Sequence, residues 1–595
     1  MKKTNILRLK FKRLLRKQKR DVVAHAELAE ENLERLFFRR LARLTNVRRF
    51  VFSWVSLLLL LIISVSLQAR GLGSYYQKIA ATEGGTLREG VVGTFSTANP
   101  LYAVTVVDSS VSKLIFSGLF SHDASNQLVP DLADRWEADE KGQVYKVTLR
   151  KNVLWHDGKP FTATDVVFTY KTIQNPDAKS PLLSSWLGVT ITALDDFTVQ
   201  FSLPSPLASF PNSLITGIVP SHILANIPVS QLRSAPFNSV NPVGTGPFAW
   251  GSVEVTGTTR DNRSELVALK RNTTYHLGAT KMDQYIMRTY RQEDELIKAY
   301  QKHELTAVVG LDKLPDDVKN DESSMSYNVP TDGNVMVFFN NSSDLLQNVK
   351  LRQALAYATN KQAILSQLGF SALSTNSPLL HGQLGYDPAI VQKSFNIAAA
   401  NKILDGEGWV KTDNGIRKKG DKMLALHFVS QNVAEYALIS QELQKQWREV
   451  GIDIDVKLRP EEDMQVDILQ RHNYDILLYG ISIGSDPDVF AYWHSSQANV
   501  SSVSRLNLSE YKSKVADRAL EAGRTRIEPT LRAVKYKSFL VAWRDDTPAI
   551  ALYQPRILYI ARTELGGFTA RRVTSAVDRL NTVQNWTVLQ ERILK

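Results

Sequence analysis

Apolar and polar residues alternate through residues 145–150 (YKVTLR), the period of a strand with one buried face. Asp157-Gly158 then supplies a tight turn, since Gly takes positive φ without steric cost and Asp tolerates it. Residues 162–165 (TATD) have the spacing of a capping box, with the Thr162 hydroxyl accepting from the Asp165 amide and Asp165 reaching back. The spacing predicts a helix from there to about Gln174, where Asn175-Pro176 disfavours continuation. Further strands are predicted at 195–203 and 474–479. Helices are read at 108–120, 293–302 and 511–541. Residues 424–429 and 452–458 read as strands around a helix at 433–450, a right-handed β-α-β crossover in a mainly parallel sheet.

One stretch breaks this pattern. Residues 50–69 (FVFSWVSLLLLLIISVSLQA) carry no charge and are long enough to cross about 30 Å of hydrocarbon. Residues 2–20 interleave ten Lys and Arg with apolar residues, and 24–44 hold strong helix formers with Glu-to-Arg spacing. Residues 1–49 are long for the positive region of a secretory leader, yet 64–66 (SVS) offers a small-residue cleavage motif. An uncleaved anchor and a cleaved leader are both open at this point. The positive-inside rule places 1–49 in the cytoplasm and the large C-terminal body outside, a single-pass protein of the cell membrane.

The net charge of +12 suggests a nucleic-acid binder until it is located. Residues 1–49 hold 16 Lys and Arg against 5 Asp and Glu, leaving 56 against 55 for the rest of the chain. The basicity therefore belongs to a tail that orients the chain on anionic lipid, and no nucleic-acid partner is expected. At 595 residues the chain exceeds a single core and should form two or more lobes. It contains no cysteine, which excludes disulfides, thiolate metal sites and a cysteine nucleophile.

Two motifs invite an enzymatic reading. His156 lies beside the turn Asp157, but a lone His lacks the further ligands a metal needs, so a structural role is expected. Residues 480–484 (GISIG) match G-x-S-x-G after a buried strand, making Ser482 a candidate nucleophile. His494 is the only histidine after it, twelve residues on, which leaves little room for the acid and its strand. Residues 242–248 (PVGTGPF) set a sharp turn but lack the Lys and following helix of a phosphate loop.

Residues 155–170 (WHDGKPFTATDVVFTY) closely resemble the segment that marks extracytoplasmic solute-binding proteins of the oligopeptide/dipeptide/nickel family, the ligand-capturing components of ATP-driven importers. PVGTGPF at 242–248, the block from Arg271-Asn272 to Tyr275, a strand at 306–310, a crossing strand into the second lobe at 334–341, a helix at 349–361 and a helix at 398–409 that ends in Gly-Trp resemble the family's elements in the family's order. The resemblance covers roughly 85–560. It implies an α/β, two-lobed periplasmic-binding-protein-like fold with an extra subdomain in lobe one, preceded by a single N-terminal transmembrane helix. The expected division is a basic tail at 1–49, the membrane helix at 50–69, a stalk at 70–84, lobe one at 85–333, lobe two at 334–548 and a return to lobe one at 549–595. The strand at 549–553 is expected to make that return.

The resemblance further implies capture of a peptide or similar polar solute between the lobes, hinge closure, and delivery to the permease subunits of an ABC importer. No catalysis, metal or cofactor is implied. The membrane helix would replace the lipidated cysteine by which many such proteins are tethered. A sensor or chaperone of the same fold, signalling through 1–49, is the alternative, with the Ser482 hydrolase behind it. Phe95, Ser96 and Thr97 on lobe one are expected to face the solute, with Ser482, Ile483, Gly484, Ser485, Asp486, Tyr492 and Trp493 on lobe two. In peptide-binding members an Asp four residues before the Pro of this turn pairs with the peptide amine. Counting back from Pro487 gives Ile483, so that anchor is missing or has moved to Asp486.

Overall fold

The computed structural model describes residues 20, 22–23, 48–257, 259, 263–499 and 505–594. The basic stretch at 2–19 and the helix predicted at 24–44 lie outside the described residues. Arg48–Tyr76 is one helix, whose segment Phe50–Gln68 has a mean hydropathy of 2.5 and is not buried. The helix continues through Gly71 and Gly73, so it runs past the predicted end of the apolar segment into the expected stalk.

The body is built on two large sheets. The first has the strand order Ser324–Pro330, Arg556–Arg562, Ala307–Val309, Thr86–Val92, Gln284–Tyr290, Ser264–Arg271, Phe248–Thr256. Thr86–Val92 runs parallel to both Gln284–Tyr290 and Ala307–Val309. The second has the order Leu373–Ser374, Ala549–Gln554, Gly333–Phe339, Ile476–Ser482, Ala425–Gln431, Asp453–Arg459. Its last three strands are parallel, with the helix Ala434–Glu449 between Ala425–Gln431 and Asp453–Arg459. A separate antiparallel sheet, Ala133–Ala138, Val144–Leu149, Thr198–Ser202 and Thr190–Asp195, packs with the first lobe.

The strand Gly333–Phe339 shows how sequence becomes core. It is buried throughout; Val335, Val337 and Phe339 pack into one cluster, Met336 and Phe338 into another. Alternate side chains of a strand point to opposite faces, so a continuous apolar run suits a sheet covered on both sides.

The stretch 144–174 closely follows its predicted outline. Val144–Leu149 is a strand, and the turn at Asp157-Gly158 closes with Trp155 N–H donating to the Lys159 carbonyl at 2.8 Å. The helix Ala163–Gln174 carries the complete capping box. Asp165 also accepts the Ser221 amide at 2.9 Å, the Ser221 hydroxyl at 2.6 Å and the Trp155 indole at 3.3 Å. His156 has a structural place: it bonds the Gly244 amide at 3.2 Å and the Gly246 carbonyl at 3.1 Å. Those glycines are required because PVGTGPF lies against the helix end at Ile115, whose carbonyl a Cβ on Gly244 would meet at 1.9 Å.

The chain crosses between the sheets twice. The first crossing is at Thr331-Asp332, between Ser324–Pro330 and Gly333–Phe339. The second is at Pro555. Ala549–Gln554, read from sequence as the return to lobe one, belongs to the second sheet; Arg556–Arg562 makes the return. Both have apolar centres and similar length, and Arg556–Arg562 adds an Arg at each end. The helical run at 511–541 divides into Lys514–Thr525 and Pro529–Asp546, since Pro529 suits a first helical position and not an interior one.

Candidate functional site

The parallel strands of both sheets end at the gap between the lobes, where open α/β sheets bind their ligands. Val92 and Val309 end strands of the first sheet; Gln431 and Ser482 end strands of the second. A cavity of about 620 Å³ opens here, lined by 309–313 and Ile557-Leu558 from the first lobe and by Gln431, 433–436, Leu438 and 367–370 from the second. Pro555 and Arg556 of the second crossing complete the wall.

On the first lobe, the loop after Thr86–Val92 is held from within. Asp108, in the first turn of the helix Val106–Ile115, accepts the amides of Ser96 and Thr97 at 2.8 and 3.1 Å and the Ser96 hydroxyl at 2.7 Å. The Phe95 amide donates to Glu265 at 3.4 Å, and the Phe95 ring is buried with its centroid 6.0 Å from that of Trp250. From the sequence these residues are expected to face the solute. Their amides are taken by two carboxylates, and Asp108 at a helix N-terminus is a favoured acceptor for those of Ser96 and Thr97.

The turn 482–489 is likewise tied by its own amides. Ile483 and Gly484 N–H both donate to the Asp332 carbonyl, at 2.8 and 3.0 Å, so the first crossing sets the turn's course. Gly484 has φ +82°, and its carbonyl accepts from Gln383 at 2.8 Å. Ser485 reaches the first lobe, donating to Asn212 at 3.0 Å and lying 3.3 Å from His122 Nε2. Burial holds the His122 imidazole below its ordinary value, opposed by the nearby Asp578.

Asp486 does not project a free carboxylate. Arg532 grips it with two bonds, at 2.7 and 2.9 Å. Asp488 pairs with Arg524 at 3.1 Å and accepts the first-lobe Ser209 hydroxyl at 3.3 Å; burial pushes its carboxyl up. Of the two readings of the amine anchor, missing or moved to Asp486, the second meets a carboxylate whose charge already has a bidentate partner. Trp493 is a correction to the expected solute wall. It is 0 % exposed, stacked on Phe338 and edge-on to Trp543, where an apolar ring gains most from burial. Tyr492 is half-buried and donates to the Ser482 carbonyl at 2.6 Å.

Ser482 itself is exposed. The His494 ring bonds Ser496 at 2.8 Å and Glu521 at 3.3 Å, partners that hold it away from a Ser482 triad. Among the described residues no group of three or more His, Cys, Asp or Glu is placed to hold a metal ion. No hydrogen bond or ion pair joins residues 95–97 to 482–486 among the described residues.

The cavity end of the cleft was missed by sequence reasoning. Glu435 accepts the Tyr553 hydroxyl, and burial pushes its carboxyl up. The Arg556 guanidinium lies 4.1 Å from the Phe370 ring centroid and donates to the Asp312 carbonyl at 3.1 Å. Burial lowers its pKa, opposed by Glu435 and Asp312. Residues 310, 370, 435 and 556 are far apart in sequence, so no local motif announces them. The available signal was the end of each parallel strand.

Residues 127–502 match the family model of bacterial extracellular solute-binding proteins, family 5 (middle). The chain belongs to that family. This family 5 protein is 26 % identical over 487 residues to the oligopeptide-binding protein AppA of Bacillus subtilis, covering 80 % of this chain and 87 % of AppA. Its fold is similar to that of NikZ from Campylobacter jejuni, solved in complex with Ni(L-His), at 26 % identity and a TM-score of 0.67 over 84 % of this chain and 99 % of NikZ. CtaP from Listeria monocytogenes, at 24 % identity, shares the fold with a TM-score of 0.72 over 85 % of this chain and 100 % of CtaP. These neighbours identify the α/β architecture as the two-lobed periplasmic-binding-protein-like fold.

Proposed function

We propose that this family 5 protein is a membrane-anchored receptor that captures a peptide or similar polar solute between its lobes and hands it to the permease of an ABC importer. The observation that carries the reading is the cavity at the carboxyl ends of the parallel strands of both sheets, walled by the second crossing. Its volume falls within the range of small-ligand sites. Because both lobes and the crossing form its wall, rotation about Thr331-Asp332 and Pro555 changes its volume, which links occupancy to closure. AppA, named for oligopeptide binding, supports the peptide class. The uncharged helix Phe50–Gln68 supports an anchor with residues 1–49 in the cytoplasm and the body outside.

The turn is the specificity wall in this reading, through Ser482 and the Ile483 side chain, while the cavity around Arg556 receives the body of the solute. Native mass spectrometry on full-length protein in mild detergent tests it. A bound species of peptide or small-solute mass is expected, released by partial unfolding. Protein that carries no such mass, and whose melting temperature is unmoved by a broad peptide and sugar library, would refute the capture role.

A further inference from the structure

The two ends of the cleft share an electrostatic property. In the turn, Asp486 faces Arg532 and Asp488 faces Arg524, two charges of each sign. At the cavity end, Glu435 and Arg556 line one space, and Asp312 and Lys313 add one charge of each sign at its rim. Glu435 and Arg556 are near enough for each to bias the other's ionisation. The fixed charges that line the cavity therefore balance, as do those of the two ion pairs at the turn, and most of the remaining cavity wall is aliphatic or aromatic, including Phe370 and Ile557. A solute with net charge, enclosed by closing lobes, would leave that charge uncompensated in a poorly hydrated space, which is costly.

We propose that the cleft selects solutes of zero net charge, zwitterionic or uncharged, with an apolar body, and that Glu435 and Arg556 set this selection. The proposal rests on the solute-capture reading above. Arg556 has one guanidinium face on Phe370 and one bond to the Asp312 carbonyl, which leaves part of its edge toward the cavity for an acceptor on the solute. Glu435 is fixed through one oxygen by Tyr553, which orients the other. A zwitterion places its two ends on these groups. An uncharged solute leaves them to each other.

The test uses one tripeptide of Ala, Leu and Phe in four forms: free, N-acetylated, C-amidated and blocked at both ends. Each is titrated calorimetrically into the full-length protein in detergent at pH 7. The free and doubly blocked forms are expected to bind, with the two singly charged forms about tenfold or more weaker. Glu435→Gln should move the preference toward the N-acetylated anion, and Arg556→Gln toward the amidated cation. A merely structural role would weaken all four forms together. The charge-keeping variants Glu435→Asp and Arg556→Lys should retain the neutral preference. Equal binding of the four forms by the wild-type protein would overturn the selection and leave solute capture standing. Binding of none would overturn peptide capture, and the selection with it. The wild-type series decides even where a variant fails to fold.

Discussion

Carboxylates buried inside the first lobe and those buried where the lobes meet use the same chemistry for different ends. Glu89 and Arg579 are both 0 % exposed; their bond is 2.5 Å, and the Tyr285 hydroxyl donates to Glu89 at 2.6 Å. Asp165 takes all its donors, Thr162, Trp155 and Ser221, from the same lobe. Asp332 at the first crossing differs. Its carboxylate takes Asn126 and Arg572 from first-lobe segments, while its carbonyl takes the amides of Ile483 and Gly484 in the second-lobe turn. Burial pushes the Asp332 carboxyl up, so its charge depends on those partners. An interior carboxylate fixes how one lobe folds; a boundary carboxylate fixes how the lobes are oriented.

Arg579→Ala tests the interior side most severely. It leaves Glu89 without its cation and should cost about 3–5 kcal/mol in urea unfolding. Asp165→Ala removes the capping-box reach and three further donors' acceptor, for an expected loss of about 2–3 kcal/mol. Asp332→Asn should cost about 1–3 kcal/mol and also change the separation of the lobes in small-angle scattering. If it destabilises as Asp165→Ala does, with the scattering unchanged, the distinction fails. Ser485→Ala should lower stability by less than about 1 kcal/mol, yet weaken solute binding several-fold in calorimetry.

The smallest effect is a pH dependence. Burial holds the His122 ring below its ordinary value of 6.5, so the unfolded chain takes up a proton there first as the pH falls. The stability due to the neutral ring is present above that value and is lost as the pH falls beneath it. Melting temperature should drop between pH 7.5 and pH 5, and the drop should shrink in His122→Gln. An unchanged drop would assign it to His156 and His472, which burial shifts the same way.

What was legible in the sequence was local. The capping box of Thr162 and Asp165 needs only four residues, and the strand Val144–Leu149 needs only its own alternation. The family resemblance then supplied the two-lobed order. What was not legible depended on long-range pairing. Arg532 neutralises Asp486 from 46 positions away, and Glu435 meets Tyr553 across 118. Nothing in the sequence states that Asp108 turns back to meet the amides of Ser96 and Thr97, or that Glu265 meets the amide of Phe95. The crossing at Pro555 was misplaced because Ala549–Gln554 and Arg556–Arg562 both have apolar centres, and which sheet each joins is set by long-range pairing.

Hinge closure around a solute is the central claim, and the chain's lack of cysteine makes it directly measurable. Glu137 on the first lobe and Lys445 on the second are exposed; Glu137→Cys and Lys445→Cys would carry a donor and an acceptor dye. Single-molecule energy transfer on the full-length protein, titrated with the solute recovered from it, should show two populations, with the higher-transfer one growing to saturation. Saturating solute binding with an unchanged transfer distribution would contradict the account.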